Sequence, residues 1–157
     1  MARAETWRLD AANYPVSMVV QSRFQDLDSL GHINNVAMSG IFETARVHFH
    51  RIFGRHPADQ GVRWMVAAVD LKYIEESHFP YDLIICSGIG HIGNSSWTIV
   101  SAAFQQGSCV ATCDTVMVMK GPKGKNVIDD QMRAIMEQNS AHPALSSVLA
   151  SAVPSGA

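Results

Sequence analysis

The stretch Gln25–Arg46, QDLDSLGHINNVAMSGIFETAR, sets two acids, a glycine and a pair of amides immediately ahead of an apolar run with helical period. Asp26 and Asp28 stand two residues apart, Gly31 can take backbone conformations closed to other residues, and Asn34 or Asn35 can cap the helix that follows. From Val36 to Phe53 the residues Met38, Ile41, Phe42, Ala45, Phe49, Ile52 and Phe53 recur at three- and four-residue spacing, and Gly54 ends the run. One long, mostly buried helix is expected. Its first turn carries unpaired N–H groups and the positive end of the helix dipole, so an anion or a polarised carbonyl is stabilised there.

The surrounding chain bounds what this loop and helix can serve. Its 157 residues fit one domain with a substantial core. Twelve basic and fourteen acidic residues leave a formal net charge of −2, which provides no broad basic face for nucleic acid. The opening MARAETWRLD has no apolar core for secretion, and no apolar stretch approaches the ~18 residues of a membrane span. No membrane partner and a cytoplasmic location are therefore expected. Of the three cysteines, Cys86, Cys109 and Cys113, the last two fall on one face of a strand, about 13 Å apart at ~3.3 Å per residue. They cannot bridge each other, and buried thiols in a reducing compartment are expected.

On either side of the loop and helix the pattern is that of strands. Residues 1–13 are polar and read as a loosely held N-terminal segment; Pro15 then leads into VSMVVQSRF, the first strand. After the helix, RHPADQG is a loop by composition, and VRWMVAAVDLKYIEES is long enough to cross a whole sheet. YDLIICSGIGHIG and SSWTIVSAAFQQG read as strands joined around Gly93 and Asn94, and CVATCDTVMVMKG follows the Gln106–Gly107 turn as another. DDQMRAIMEQN is a short amphipathic helix capped by Asp129 or Asp130. A single domain over residues 14–138 is expected, with 139–157 an Ala/Ser/Pro-rich tail of little core value. Strand, long helix, then four strands is an α+β order in which one antiparallel sheet can curl around one helix.

Gly88-Ile89-Gly90-His91-Ile92-Gly93 fits G-x-G-x-x-G, follows an apolar strand, and has Asp114 where a dinucleotide fold would place its ribose-binding acid. That reading needs residues 94–106 to be helical. Trp97, Thr98, Ile99 and Val100 are four consecutive strand-favouring residues, and no second strand–helix–strand unit is present, so turn and strand glycines are the expectation.

In this order and in its Asp-rich loop the chain resembles the acyl-CoA thioesterases of the hot-dog fold, in the branch related to hydroxybenzoyl-CoA thioesterase. The resemblance spans roughly Val16 to Lys120 and rests on R-F-Q-D-L-D-S-L-G-H-I-N-N followed by F-E-T-A-R, with I-G-N-S-S-W between two later strands. It implies a curled sheet of about five strands wrapped around one long helix, and a homodimer or tetramer of dimers whose active sites are built by two subunits. It also implies hydrolysis of an acyl-CoA or related acyl thioester to free acid and thiol, with coenzyme A entering only as part of the substrate and no cofactor. Asp28 matches the family's catalytic carboxylate, and Gly31 the glycine whose turn leads into the oxyanion-binding helix N-terminus. The chain departs from the pattern at Met38, where many members carry tyrosine in the acyl pocket, and at Gly93-Asn94, near which the hydroxybenzoyl enzyme carries arginines for the CoA phosphates.

Each candidate also has a plainer role. Asp28 alone reads as a turn or capping residue, and Asp26 as a turn acid that orients the loop. His32 is a candidate for proton transfer, since the imidazole group as a class changes charge near neutral pH, or a polar turn position. Asn34 and Asn35 are caps that can also position water. Glu43 lies eight positions beyond Asn35, about 12 Å up the helix at ~1.5 Å per residue, where it can reach a partner subunit's site, as the resemblance to another thioesterase branch implies, or pair with Arg46 at i,i+3. Ser95 and Ser96, beside Asn94, can hydrogen-bond pantetheine or close a hairpin; neither sits in a nucleophile elbow. Lys120, Lys123 and Lys125 can meet CoA phosphates or belong to a solvated loop. The seven histidines show no H-E-x-x-H or comparable metal spacing, so no metal is expected. Two alternatives compete with the hydrolase: a non-catalytic acyl-CoA or lipid-binding module, and a hot-dog dehydratase acting on hydroxyacyl thioesters.

Overall fold

The structure, a computed structural model, describes residues 3–54 and 61–142. Its elements in order are β1 (Val16–Val20), α1 (Asn35–Phe49), β2 (Arg63–Tyr73), β3 (Leu83–Ile92), β4 (Ser96–Gln105), β5 (Ser108–Gly121), the two-residue β6 (Gly124–Lys125) and α2 (Asp130–Gln138). The strands form one antiparallel sheet in the order β1-β3-β4-β5-β2, with β6 on β5. This is the α+β architecture expected, a curled sheet around a helix. The long connection from β1 to β2 carries α1 across the concave face, while β3, β4 and β5 follow one another through short turns.

The helix forms where the periodicity places it. The Asn34 side chain accepts the Ala37 N–H at 2.8 Å, which caps the first turn. The expected Val36 to Phe53 run is α-helical to Phe49 and continues as one 3₁₀ turn, His50–Phe53, before Gly54 stops it at φ +62°. Met38, Ile41, Phe42 and Ala45 pack against Leu83 and Ile85 of β3 and Ala111 and Cys113 of β5, so the apolar stripe is covered by the middle of the sheet. Phe49 and Phe53 belong to a second cluster with Trp97, Met117 and the α2 residues Met132 and Met136. All three thiols are free and buried, and burial pushes Cys109 up to about 11.

The glycine-rich motif is strand and turn. Gly88 and Gly90 lie within β3, residues 96–105 are β4, and Asp114 is paired with Arg8, so no dinucleotide unit exists here. The glycine at 88 has a packing reason instead: a Cβ there would stand 2.8 Å from Pro15 Cδ and 2.9 Å from the Ala141 backbone nitrogen. Both ends of the described chain cross β3 at this point. We expect Gly88→Ala to cost about 1–3 kcal/mol in denaturant unfolding, because backbone must move. Gly40→Ala, with nothing within 4 Å of the added Cβ, should be neutral or stabilise the helix by about 0.5–1 kcal/mol.

The same crossing corrects two expectations. The N-terminal segment is not loose: Arg8 is 5% exposed and donates to the Ser101 carbonyl at 3.1 Å and to Asp114 Oδ1 at 2.6 Å, while the Tyr14 hydroxyl donates to the Arg8 carbonyl. A polar segment docks because its one buried charge finds a carboxylate and a carbonyl on the outer face of β4 and β5. The start of the tail docks as well. Ile89 N–H donates to the Asn139 carbonyl and Ala141 N–H to the Ile89 carbonyl, both at 2.8 Å, and Ala141 is buried. Residues 143–157 of the expected tail lie outside the described residues.

Candidate active site at the Asp28 loop and the N-terminus of helix α1

Between β1 and α1 the chain folds into a turn held almost entirely by its own acids and amides. Asp26 is 3% exposed, and its carboxylate accepts the Arg23 backbone N–H at 2.9 Å and the Arg23 guanidinium at 2.7 Å. Those bonds to Arg23 hold its carboxyl below the usual range, and the Asp26 carbonyl accepts the Asn34 N–H at 2.8 Å. Asp26 therefore anchors the loop to the helix cap. Its carboxylate has no free approach for a substrate.

Asp28 is the opposite case. It is exposed, and its Oδ1 accepts the Leu30 N–H at 2.8 Å and the His32 N–H at 3.2 Å. Its own N–H donates to the His32 carbonyl at 2.9 Å, and its carbonyl accepts the Gly31 N–H at 3.1 Å. Gly31 closes this turn at φ +81°, where any side chain would strain the backbone. The hydrogen bond from His32, then that from Leu30, keeps the Asp28 carboxyl below the usual carboxylate range. Among the described residues Oδ2 accepts no hydrogen bond. One oxygen thus fixes the turn while the other faces solvent, ionised at neutral pH.

The first turn of α1 is likewise only partly satisfied. Val36 N–H donates to Asn35 Oδ1, Ala37 N–H to Asn34 Oδ1 and Met38 N–H to the Asn34 carbonyl. The Asn35 N–H, at the positive end of the helix dipole, has no partner among the described residues. Tyr73, at the end of β2, donates its hydroxyl to the Asn35 carbonyl at 3.3 Å and so leans over this turn. Sequence reasoning did not single it out, and its only signal was an aromatic residue at a strand end.

The other candidates are placed unevenly. His32 stands between Asp28 and the cap, with Nε2 3.3 Å from Glu76 Oε2. Met38 is 1% exposed and belongs to the core cluster, so its side chain is a packing residue here. Glu43 makes the i,i+3 ion pair with Arg46 at 3.2 Å. Both also line a cavity of about 220 Å³ with Ser39 and Phe42 of α1, Val66 and Val69 of β2, and Cys113. That cavity opens about one helical turn, some 6 Å, beyond Asn35.

Asn94, Ser95, Ser96, Lys120 and Lys123 form a separate group. Ser95 carbonyl accepts the Met119 N–H at 2.9 Å, Asn94 carbonyl accepts the Ile128 N–H at 2.9 Å, and Gly93 carbonyl accepts the Arg133 guanidinium at 2.8 Å. The β3–β4 turn and the β5–β6 hairpin therefore meet at one end of the sheet. The Asp28 loop is at the other end, because it follows Val20, which pairs with Leu83 at the start of β3. The length of β3 separates the two groups, about 30 Å at ~3.3 Å per residue. Within one chain the structure does not bring them together.

The sequence matches the Thioesterase-like superfamily over residues 22–145. No curated protein matches the chain significantly. Among solved structures, a predicted thioesterase from Bacillus stearothermophilus is similar at 25% identity and TM-score 0.72, covering 81% of this chain and 97% of that one. A thioesterase from Thermus thermophilus, complexed with coenzyme A and Zn, superposes at TM-score 0.74 with 22% identity over 83% and 98% of the two chains. A gentisyl-coenzyme A thioesterase shares the fold at TM-score 0.68 and 15% identity, over 77% and 99%. With the family match spanning most of its length and these structures sharing its hot-dog fold, the chain belongs to the thioesterase-like superfamily.

Proposed function

We propose that this chain hydrolyses an acyl-CoA, or a closely related acyl thioester, to the free acid and thiol, with Asp28 as the reacting carboxylate. The observation that carries the reading is the turn that commits only one Asp28 oxygen and leaves the other ionised beside a helix N-terminus with an open N–H. A thioester carbonyl whose oxygen meets the Asn35 N–H is polarised there, and the charge of the tetrahedral intermediate grows where the dipole favours it. Asp28 Oδ2 then attacks the carbonyl carbon directly, expelling the thiolate and leaving a mixed anhydride that water cleaves to the free acid and the regenerated carboxylate, or it takes a proton from a water that attacks, and the tetrahedral intermediate collapses to acid and thiol. The cavity along α1 and β2 receives the acyl group, with Phe42, Val66 and Val69 as its apolar wall. The relative solved with coenzyme A supports CoA as the carrier. No cofactor takes part in this chemistry.

The test is thiol release from a panel of aliphatic and aromatic acyl-CoA substrates, followed with a thiol-reactive dye. Turnover that varies with acyl group is expected. Tight binding of every member without thiol release would make the chain a binding module instead, and loss of water from a hydroxyacyl thioester to give the enoyl thioester would make it a dehydratase.

The separation of the two residue groups supports a site built by two subunits. A second copy would bring its Asn94–Ser96 turn and Lys120 and Lys123 toward the CoA end of a substrate whose carbonyl sits at Asp28. Strand β2 is a sheet edge with exposed Met65, Val66 and Val69, which a second subunit would cover. Light scattering at micromolar concentration should give a dimer or a tetramer of dimers; a monomer with full turnover contradicts the shared site. The buried, unpaired thiols fit a reducing compartment such as the cytoplasm, and among the described residues no helix is long and apolar enough to cross a membrane.

A further inference from the structure

The fold brings His32 of the Asp28 loop to a pair of side chains that lie more than forty residues later in the sequence. His32, in the Asp28 loop, and Glu76 and His78, in the segment between β2 and β3, place one ligand atom each within 4.8 Å of one another. Their backbones are fixed by two sets of hydrogen bonds. Ile33, next to His32, donates its N–H to the carbonyl of the buried Ser77 at 2.8 Å, and Glu76 and His78 flank that serine. The buried Gln105 side chain then accepts the His78 N–H and donates to the His78 carbonyl, both at 2.8 Å. Within this frame His32 Nε2 and Glu76 Oε2 are 3.3 Å apart. Two ligands on a tetrahedral metal with ~2.0–2.1 Å bonds stand about 3.4 Å apart, so the pair already has the separation a shared ion imposes. The His78 ring meets the His32 ring edge-on, with centroids 5.0 Å apart, and a rotation of its exposed side chain completes the set.

We infer that His32, Glu76 and His78 form a binding site for a single divalent transition-metal ion of the zinc class. Two imidazoles and one carboxylate are borderline nitrogen and oxygen donors, which select such ions over magnesium or calcium; water completes the coordination. The ion would stiffen the catalytic loop rather than take part in hydrolysis, because the His32 backbone donates to Asp28 Oδ1 and accepts from the Asp28 N–H. The site does not depend on the hydrolase reading, and its test reads metal rather than turnover.

Tag-free protein is dialysed against chelator and titrated with Co²⁺ by absorbance and with Zn²⁺ by calorimetry, with Mg²⁺ as control. One equivalent per chain is expected, with Zn²⁺ displacing Co²⁺, no response to Mg²⁺, and a rise in melting temperature. His78→Ala and Glu76→Gln should each weaken binding about tenfold or more. Both side chains are exposed, so both variants should fold; if one does not melt as wild type, the other decides. No saturation at one equivalent, a folded variant that binds as wild type does, or equal binding of Mg²⁺ overturns the site.

Discussion

Asp28→Asn is expected to lower kcat by about 10² to 10⁴-fold while leaving KM within a few-fold of wild type. The substitution keeps the size of the side chain and one carbonyl oxygen, so the Leu30 and His32 N–H groups retain an acceptor and the turn survives. What is lost is the ionised oxygen facing solvent. If Asp28 attacks the thioester or deprotonates water, that oxygen acts only on the way to the transition state, so the loss falls on kcat rather than on binding. Asp26→Asn behaves differently. Its carboxylate holds Arg23, while its backbone carbonyl, which the substitution keeps, holds the Asn34 cap, so its effect is on stability, with no more than about a tenfold loss of kcat expected in protein that remains folded.

The second large effect is on acid stability and comes from His50. Burial, and secondarily the positive charge of Arg46, lowers its pKa from 6.5 to about 4. Its ring stands edge-on to Trp64 at 5.1 Å and near Trp97 and Phe53, and its Nε2 is buried without a hydrogen-bond partner among the described residues. Above pH 6.5 the ring is neutral in folded and unfolded chains alike and adds no pH dependence. As the pH falls from 6.5 to about 4, the unfolded chain takes up a proton that the folded chain refuses. Stability is lost across that window at about 1.4 kcal/mol per unit, to a limit of about 3 kcal/mol because the ring is only partly covered. Asp26 and Asp28, with depressed carboxyl values, add their losses at still lower pH. Denaturant unfolding between pH 7 and 4 should show the loss in wild type and a flatter curve in His50→Phe, which keeps an aromatic ring in the cluster. An equal slope in both would remove His50 as its cause.

Much of the fold was legible because it rests on local signals. The α1 stripe, the left-handed Gly54 and the Gln106–Gly107 turn, at φ 51° and 85°, are each read from a few adjacent residues. The Asp28 loop was legible for the same reason: Gly31 bonds the Asp28 carbonyl and Asn34 the Asp26 carbonyl, all within nine residues. What stayed hidden depends on distant partners. Arg8 looked like part of a loose segment because its carboxylate, Asp114, is more than a hundred residues away. His32, Glu76 and His78 have no metal-like spacing because the Ile33–Ser77 hydrogen bond, not a helix or hairpin, brings them together. The β3–β4 turn was found correctly as a turn, yet which end of the sheet it occupies relative to Asp28 follows only from the pairing of Val20 with Leu83.

The rival carboxylate is Glu43, which lines the cavity and pairs with Arg46. The most direct test of the central claim is kcat for thiol release by wild type, Asp28→Asn and Glu43→Gln, measured side by side on the best acyl-CoA substrate with unchanged thermal melts. The account predicts a loss of about 10²-fold or more in Asp28→Asn and about tenfold or less in Glu43→Gln. Folded Asp28→Asn that keeps more than about a tenth of wild-type kcat, while Glu43→Gln loses about 10²-fold or more, would contradict it.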